Sequence, residues 1–196
     1  VAMTYANQLT ILRMVFVPCF VILVIYGHPR LATIVFLLAG ITDGLDGLLA
    51  RKLQQKTVLG SFLDPMADKI LLTAAFLTLT IPSLPLPLHI PTWLTVLTIG
   101  RDVLIALSVL VIYLQTQHTS FPPSLLGKCT TAVQLLMVGV CLLANFELKL
   151  ATAFFDAAKY CTLAFTLASA LHYSYKSVKI FASYQAAGDV EKRAQS

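Results

Sequence analysis

The sequence predicts an all-α integral membrane protein of six transmembrane helices, and three observations carry that prediction. Hydrophobic residues make up 58% of the 196 and charged residues only 12%. A soluble domain carries about a quarter charged residues, so this chain lacks the polar surface to coat a globule. Mean hydropathy is +0.82, and several apolar runs reach the roughly 20 residues that cross a bilayer as a helix.

The first span is read as Gln8–Tyr26. Its apolar segment, Leu12 to Tyr26, has no basic run before it and no small-residue cleavage site after it. It therefore reads as a retained helix rather than a signal peptide. Gly27-His28-Pro29 closes it, and the second span follows as Leu31–Ala50. The third is Ser61–Thr80, separated from the fourth, Thr92–Leu114, by the proline-rich stretch Pro82 to Pro91; prolines at this density break helices. Trp93 sits at the edge of the fourth span, where an indole anchors at the membrane interface. Pro122-Pro123-Ser124 leads into the fifth span, Leu125–Ala144, with Ser124 as its cap. The sixth is Ala151–Tyr173. Residues 1–7 form a short leading segment, and the polar tail, 176–196, is expected to fray or lie on the surface. No internal repeat is present, so one domain over 1–196 suffices.

Net charge is +5, but the basic residues flank spans instead of forming a nucleic-acid patch. With six spans both termini share one side. That side holds Arg51, Lys52, Lys56, Lys176, Lys179, Lys192 and Arg193, with Arg13 and Lys128 nearby, against Arg30 and Lys149 opposite. The asymmetry places the termini in the cytoplasm, or in the matrix of an organelle, and with no transit segment read, a bacterial inner membrane is the expected host. Cys19, Cys129, Cys141 and Cys161 lie in apolar runs without metal-like spacing and read as buried small hydrophobes, not disulfides. No two of His28, His89, His118 and His172 stand at metal-ligand spacing.

The chemistry is concentrated in Thr42–Lys69, TDGLDGLLARKLQQKTVLGSFLDPMADK. Asp43 and Asp46 are three apart and share a helix face; Asp64 and Asp68 are four apart and share a face of the next helix. A short linker makes the two helices antiparallel neighbours, so four carboxylates converge near one membrane surface. Ionisable groups at that depth are costly and face a polar cavity. Unless protonated or neutralised they would repel one another, and oxygen-only ligation suits Mg²⁺ or Mn²⁺. A purely structural ion-pair network with Arg51 and Lys69 would leave an excess of negative charge. Gly47, Ala50 and Gly60 lie within a turn of the acids and let a ligand or a helix approach. Arg51 lies two turns from Asp43, where a guanidinium can hold phosphate oxygens.

Asp43-x-x-Asp46-Gly47-x-x-Ala50-Arg51, eight residues, then Gly60-x-x-x-Asp64-x-x-x-Asp68 resembles the complete signature of the CDP-alcohol phosphotransferases. The resemblance extends to the six-span layout, and it implies that fold and the following site. Two metal ions would be held by Asp43, Asp46, Asp64 and Asp68. Asp68 would be the general base for the acceptor hydroxyl. Asp43, Gly47, Ala50, Arg51 and Gly60 would line the cytidine nucleotide site. It also implies a homodimer with its active site open to the cytoplasmic leaflet, using CDP-diacylglycerol as donor and releasing CMP.

The acceptor is read from weaker features. Asn7-Gln8-Leu9-Thr10-Ile11-Leu12-Arg13 and Asp64-Pro65-x-Ala67-Asp68-Lys69 resemble the glycerol-phospholipid branch, whose acceptors are glycerol 3-phosphate or phosphatidylglycerol. Arg101 and Lys128, with Arg13, are candidates to grip an acceptor phosphate. Arg101 could instead pair with Asp102, although consecutive residues diverge on a helix; Lys128 could snorkel to the interface, and Arg13 could anchor topology. Relatives that use glycerol 3-phosphate resemble one another in a second arginine two turns after such a pair, where this chain has Val109. Together with Gly127-Lys128-x-Thr130-x-Ala132-x-Gln134, this favours phosphatidylglycerol, with glycerol 3-phosphate the alternative. A prenyl-diphosphate transferase would space its aspartates differently. A cation transporter would leave the positions of Gly47, Ala50, Arg51 and Gly60 unexplained.

Overall fold

The computed structural model describes residues 5–53, 58–116, 125–146 and 149–194, with side chains over most of 12–42, 67–114, 125–146 and 151–178. Six helices account for nearly all of these residues: α1 (Tyr5–Ile25), α2 (Pro29–Leu53), α3 (Val58–Thr80), α4 (Thr92–Thr116), α5 (Leu125–Asn145) and α6 (Lys149–Ala194). No strand occurs among the described residues. Within them, Thr92–Val111 and Leu125–Asn145 are long and apolar enough to cross a membrane, and Leu12–Ile25 and Pro29–Thr42 form shorter apolar stretches.

Local chemistry explains where the helices stop. Gly27 takes φ +71, the left-handed conformation that glycine adopts without steric cost. Its N–H bonds to the Val24 carbonyl at 3.1 Å and that of His28 to the Leu23 carbonyl at 2.9 Å, the paired capping pattern of a helix C-terminus. A side chain at Gly27 would meet Pro85 Cγ at 2.9 Å. Pro29 then opens α2, where its missing N–H costs nothing.

The expected sixth span is too short as a helix. α6 runs 46 residues to Ala194, because residues 174–194 contain no proline and are rich in Ala and Lys, which sustain a helix. The polar tail thus continues α6. The proposed cap Ser124 lies outside the described residues.

The packed interior is apolar and centred on α1, α2, α3 and α5. Val17, Phe20 and Val24 of α1 meet Ala32, Phe36 and Ala39 of α2 and Leu72, Phe76 and Leu79 of α3, while Met137, Val138 and Cys141 of α5 close the cluster. The rings of Phe20 and Phe36 lie 6.0 Å apart, tilted by 49°. Among the described residues, α2 and α3 each pack on α1 more extensively than on one another. The expected pairing of α2 with α3 falls on residues 43–66, whose side chains lie outside the described ones. On the outside, large apolar side chains such as Val15, Ile22, Leu37, Leu104 and Leu171 are exposed. All four cysteines are free, as expected, but Cys19 and Cys161 are exposed and only Cys141 is buried.

At the end of the bundle away from the motif, the α3–α4 connection is clamped by one side chain. Asn145 Oδ1 accepts the Leu88 N–H at 2.8 Å, and its Nδ2 donates to the Leu88 carbonyl at 2.9 Å and to the Cys141 carbonyl at 2.8 Å. The amide therefore completes a loop backbone that has no helical partner. Asn145→Leu is expected to cost about 2–4 kcal/mol by stranding both Leu88 groups. Asn145→Asp should recover part of this at most, since a carboxylate cannot donate to either carbonyl. Thermal unfolding in detergent checks both.

Candidate functional site

Asp43 and Asp46 lie on α2 and Asp64 and Asp68 on α3, so the i,i+3 and i,i+4 spacings fall on helical backbone. The side chains of Asp43, Asp46, Gly47, Ala50, Arg51, Gly60 and Asp64 lie outside the described ones. Asp68 is described, and it is where the site can be built from.

Successive residues on a helix diverge by about 100°, and α3 uses this to address two neighbours at once. Asp68 turns to α1, where Arg13 Nη1 lies 2.6 Å from its Oδ1. Lys69 turns to α4, where its Nζ lies 2.7 Å from Asp102 Oδ2. Arg13 is fully buried, while the Asp68 side chain remains 43% exposed. The guanidinium thus anchors from within the protein a carboxylate that keeps part of its surface exposed. Arg13, expected to grip phosphate or set topology, is coupled to the last motif aspartate. Among the described residues, Lys69 pairs with Asp102 and not with a motif aspartate.

Asp102 binds a second cation. Its Oδ1 accepts from Arg101 Nη1 at 2.6 Å. The divergence of consecutive residues does not prevent this pair, because the long arginine side chain folds back to its neighbour. Arg101 is nearly buried and also donates to Ser169 Oγ of α6, through Nε at 3.2 Å and through Nη2. The Tyr173 ring lies 5.8 Å from its guanidinium carbon, within cation–π range.

These groups border a cavity of about 610 Å³ lined by Lys69, Thr73, Arg101, Asp102, Lys128, Thr131 and Tyr173, with Ile99, Val103, Ile105, Ala106 and Gly127. Two of the three sequence-predicted acceptor residues, Arg101 and Lys128, therefore meet in one space, and Arg13 does not line it. Lys128 is exposed and makes no ion pair among the described residues. Among the described residues lining the cavity, it is a cation that an incoming anion can meet without breaking an existing pair. The aliphatic wall from α4 gives the same cavity an apolar side.

Sequence reasoning missed Ser169 and Tyr173. A signal was present: Thr162, Thr166, Ser169 and Tyr173 recur at four, three and four residues, one helical face of hydroxyls within an apolar span. The first three are buried.

Residues 3–171 match the sequence pattern of the CDP-alcohol phosphatidyltransferases. The chain belongs to that family. Its similarity to human cardiolipin synthase (CMP-forming) is 34% identity over 197 residues, covering 90% of this chain and 64% of the human protein. Against the CDP-diacylglycerol–glycerol-3-phosphate 3-phosphatidyltransferase of Bacillus subtilis (strain 168) it is 31% over 187 residues, covering 87% and 93%. The Haemophilus influenzae protein of the latter name is 36% identical over 134 residues, covering 67% of this chain and 71% of its own. The chain thus spans a little under two thirds of the human relative's length.

Proposed function

We propose that the chain is a multi-pass membrane enzyme, one domain of six spans, that transfers a phosphatidyl group from CDP-diacylglycerol to a glycerol-type alcohol and releases CMP. Phosphatidylglycerol is the proposed acceptor, giving cardiolipin. The observation that carries this reading is the adjacency of Asp68 and Lys69. The family's last aspartate is half open beside Arg13, and the next residue borders a cavity holding Arg101 and Lys128. A base and an anion site lie one residue apart.

The donor set fits a hard divalent cation. Asp43, Asp46, Asp64 and Asp68 supply only oxygen, which suits two Mg²⁺ or Mn²⁺ ions, and the exposed side of Asp68 leaves its carboxylate accessible. Bound there, the ions would neutralise the diphosphate and stabilise the departing CMP. Gly47, Ala50, Arg51 and Gly60 would hold the nucleotide. Asp68 takes the proton from the acceptor hydroxyl. That oxygen bonds to the phosphatidyl phosphorus as the bond to the CMP oxygen breaks. Arg101 and Lys128 hold the acceptor's phosphate, and the α4 aliphatic wall suits an acceptor that carries acyl chains. We place the site and both termini on the cytoplasmic face of a bacterial inner membrane, in a homodimer.

A second reading has glycerol 3-phosphate as acceptor, and the Bacillus subtilis relative, matched over 93% of its length, favours it. One assay separates the two. Purified protein with CDP-diacylglycerol and Mg²⁺ or Mn²⁺ is offered each acceptor alone, and the lipid formed is identified. Cardiolipin from phosphatidylglycerol is expected, with loss of CMP release on chelation and recovery on adding back the metal. Phosphatidylglycerophosphate alone would establish the second reading. No CMP release with either acceptor would remove the proposed activity.

A further inference from the structure

Arg101 stands in the cavity as a fixed cation, and the fixing comes from α6. A guanidinium carries five N–H donors. Three of its nitrogens are already engaged: Nη1 by Asp102, and Nε and Nη2 by the single hydroxyl oxygen of Ser169. Tyr173, one helical turn beyond Ser169, places its ring 5.8 Å from the guanidinium carbon and also lines the cavity. Ser169 is fully buried and does not line the cavity, so any ligand there meets Arg101 rather than Ser169. A serine that spends its oxygen on two N–H groups of one arginine sets that arginine's plane.

We propose that Ser169 and Tyr173 are positioning residues that orient the Arg101 guanidinium toward the phosphate of the acceptor. The proposal rests on the reading of the cavity as the acceptor site. Asp102 neutralises one side of the guanidinium and ties it to Lys69, Ser169 fixes its rotation, and Tyr173 supports its face. The two N–H groups left over are then presented to the ligand without a search through arginine's many rotamers, which preorganises the site for a planar, two-oxygen contact. α6 thereby determines how tightly an acceptor is held while touching the acceptor only through the Tyr173 ring.

The test is a set of steady-state measurements on the full chain, with KM determined separately for phosphatidylglycerol and CDP-diacylglycerol. Ser169→Ala is expected to raise the acceptor KM about tenfold, the scale of a lost hydrogen bond to a charged group, with the donor KM unchanged. Ser169→Thr keeps the hydroxyl and should restore the acceptor KM. Tyr173→Leu removes the ring face from the guanidinium and should raise the acceptor KM with the donor KM unchanged. In an Arg101→Ala background, Ser169→Ala should have no further effect, because its role passes through that arginine. An added effect there, or an equal rise in both KM values, overturns the proposal while leaving the acceptor site in place. An Arg101→Ala protein whose acceptor KM is unchanged overturns the site reading, and the proposal with it. Should Ser169→Ala not fold, Tyr173→Leu still decides: a parental acceptor KM there, or an equal rise in both KM values, contradicts the positioning role.

Discussion

Asp68→Asn is expected to lower kcat by about 10³-fold or more, within the range for removing a positioned general base, while CDP-diacylglycerol still binds. The substitution keeps the shape of the side chain and its ability to accept one hydrogen bond from Arg13, which now reaches Asp68 at 2.6 Å. It removes the negative charge and the capacity to take a proton. Single-turnover CMP release, measured beside equilibrium donor binding, separates the two effects. Parental turnover in Asp68→Asn at matched metal concentrations would remove the base assignment. A proportionate loss of donor binding would recast Asp68 as a metal ligand alone.

The second large effect is expected at Arg13. The guanidinium is fully buried and its partner carboxylate 43% exposed, so the pair lies between two regimes. An exposed pair contributes up to about 1 kcal/mol; breaking a buried one costs roughly 3–5 kcal/mol. Arg13→Met retains the apolar stem and removes the charge, so its loss reports the ion pair more than the packing. A destabilisation of about 2–3 kcal/mol is expected, between those limits. A fall in kcat should accompany it, because Asp68 loses its anchor. Arg13→Lys should recover stability better than turnover, since an ammonium restores the charge without the planar fork. Thermal unfolding and initial rates on the same preparations check this. A stable Arg13→Met protein with parental kcat would show that the pair neither holds the fold nor aims the carboxylate.

Much of the architecture was legible because apolar runs and helix breakers are local signals. α3 ends at Thr80, α4 begins at Thr92 and α5 at Leu125, all as read from the prolines and the limits of the apolar runs. The continuation of α6 past the expected span to Ala194 was not legible, because polarity marks the end of a span while a helix can run on beyond it. The family was legible from the four aspartates together with Gly47, Ala50, Arg51 and Gly60 at their offsets. Partner choice was not. Whether Lys69 turns to the aspartates or to Asp102 depends on which helix packs beside α3, and so does the bond between Arg13 and Asp68. Both are contacts at long sequence separation, 33 and 55 residues. The Arg101–Asp102 pair was undervalued for a different reason: helical geometry fixes where Cβ points, but not where a long side chain ends.

Because consecutive residues of α3 are tied to helices on different sides, the register of that helix about its own axis is fixed twice over. Deleting one residue of α3 between Asp64 and Asp68 would therefore turn Asp64 by about 100° relative to both ties. A two-turn insertion of seven residues there would nearly restore the angle. Helix three is therefore expected to tolerate length changes ahead of this point only in near-integral turns, a periodicity that a scan of insertions and deletions would reveal.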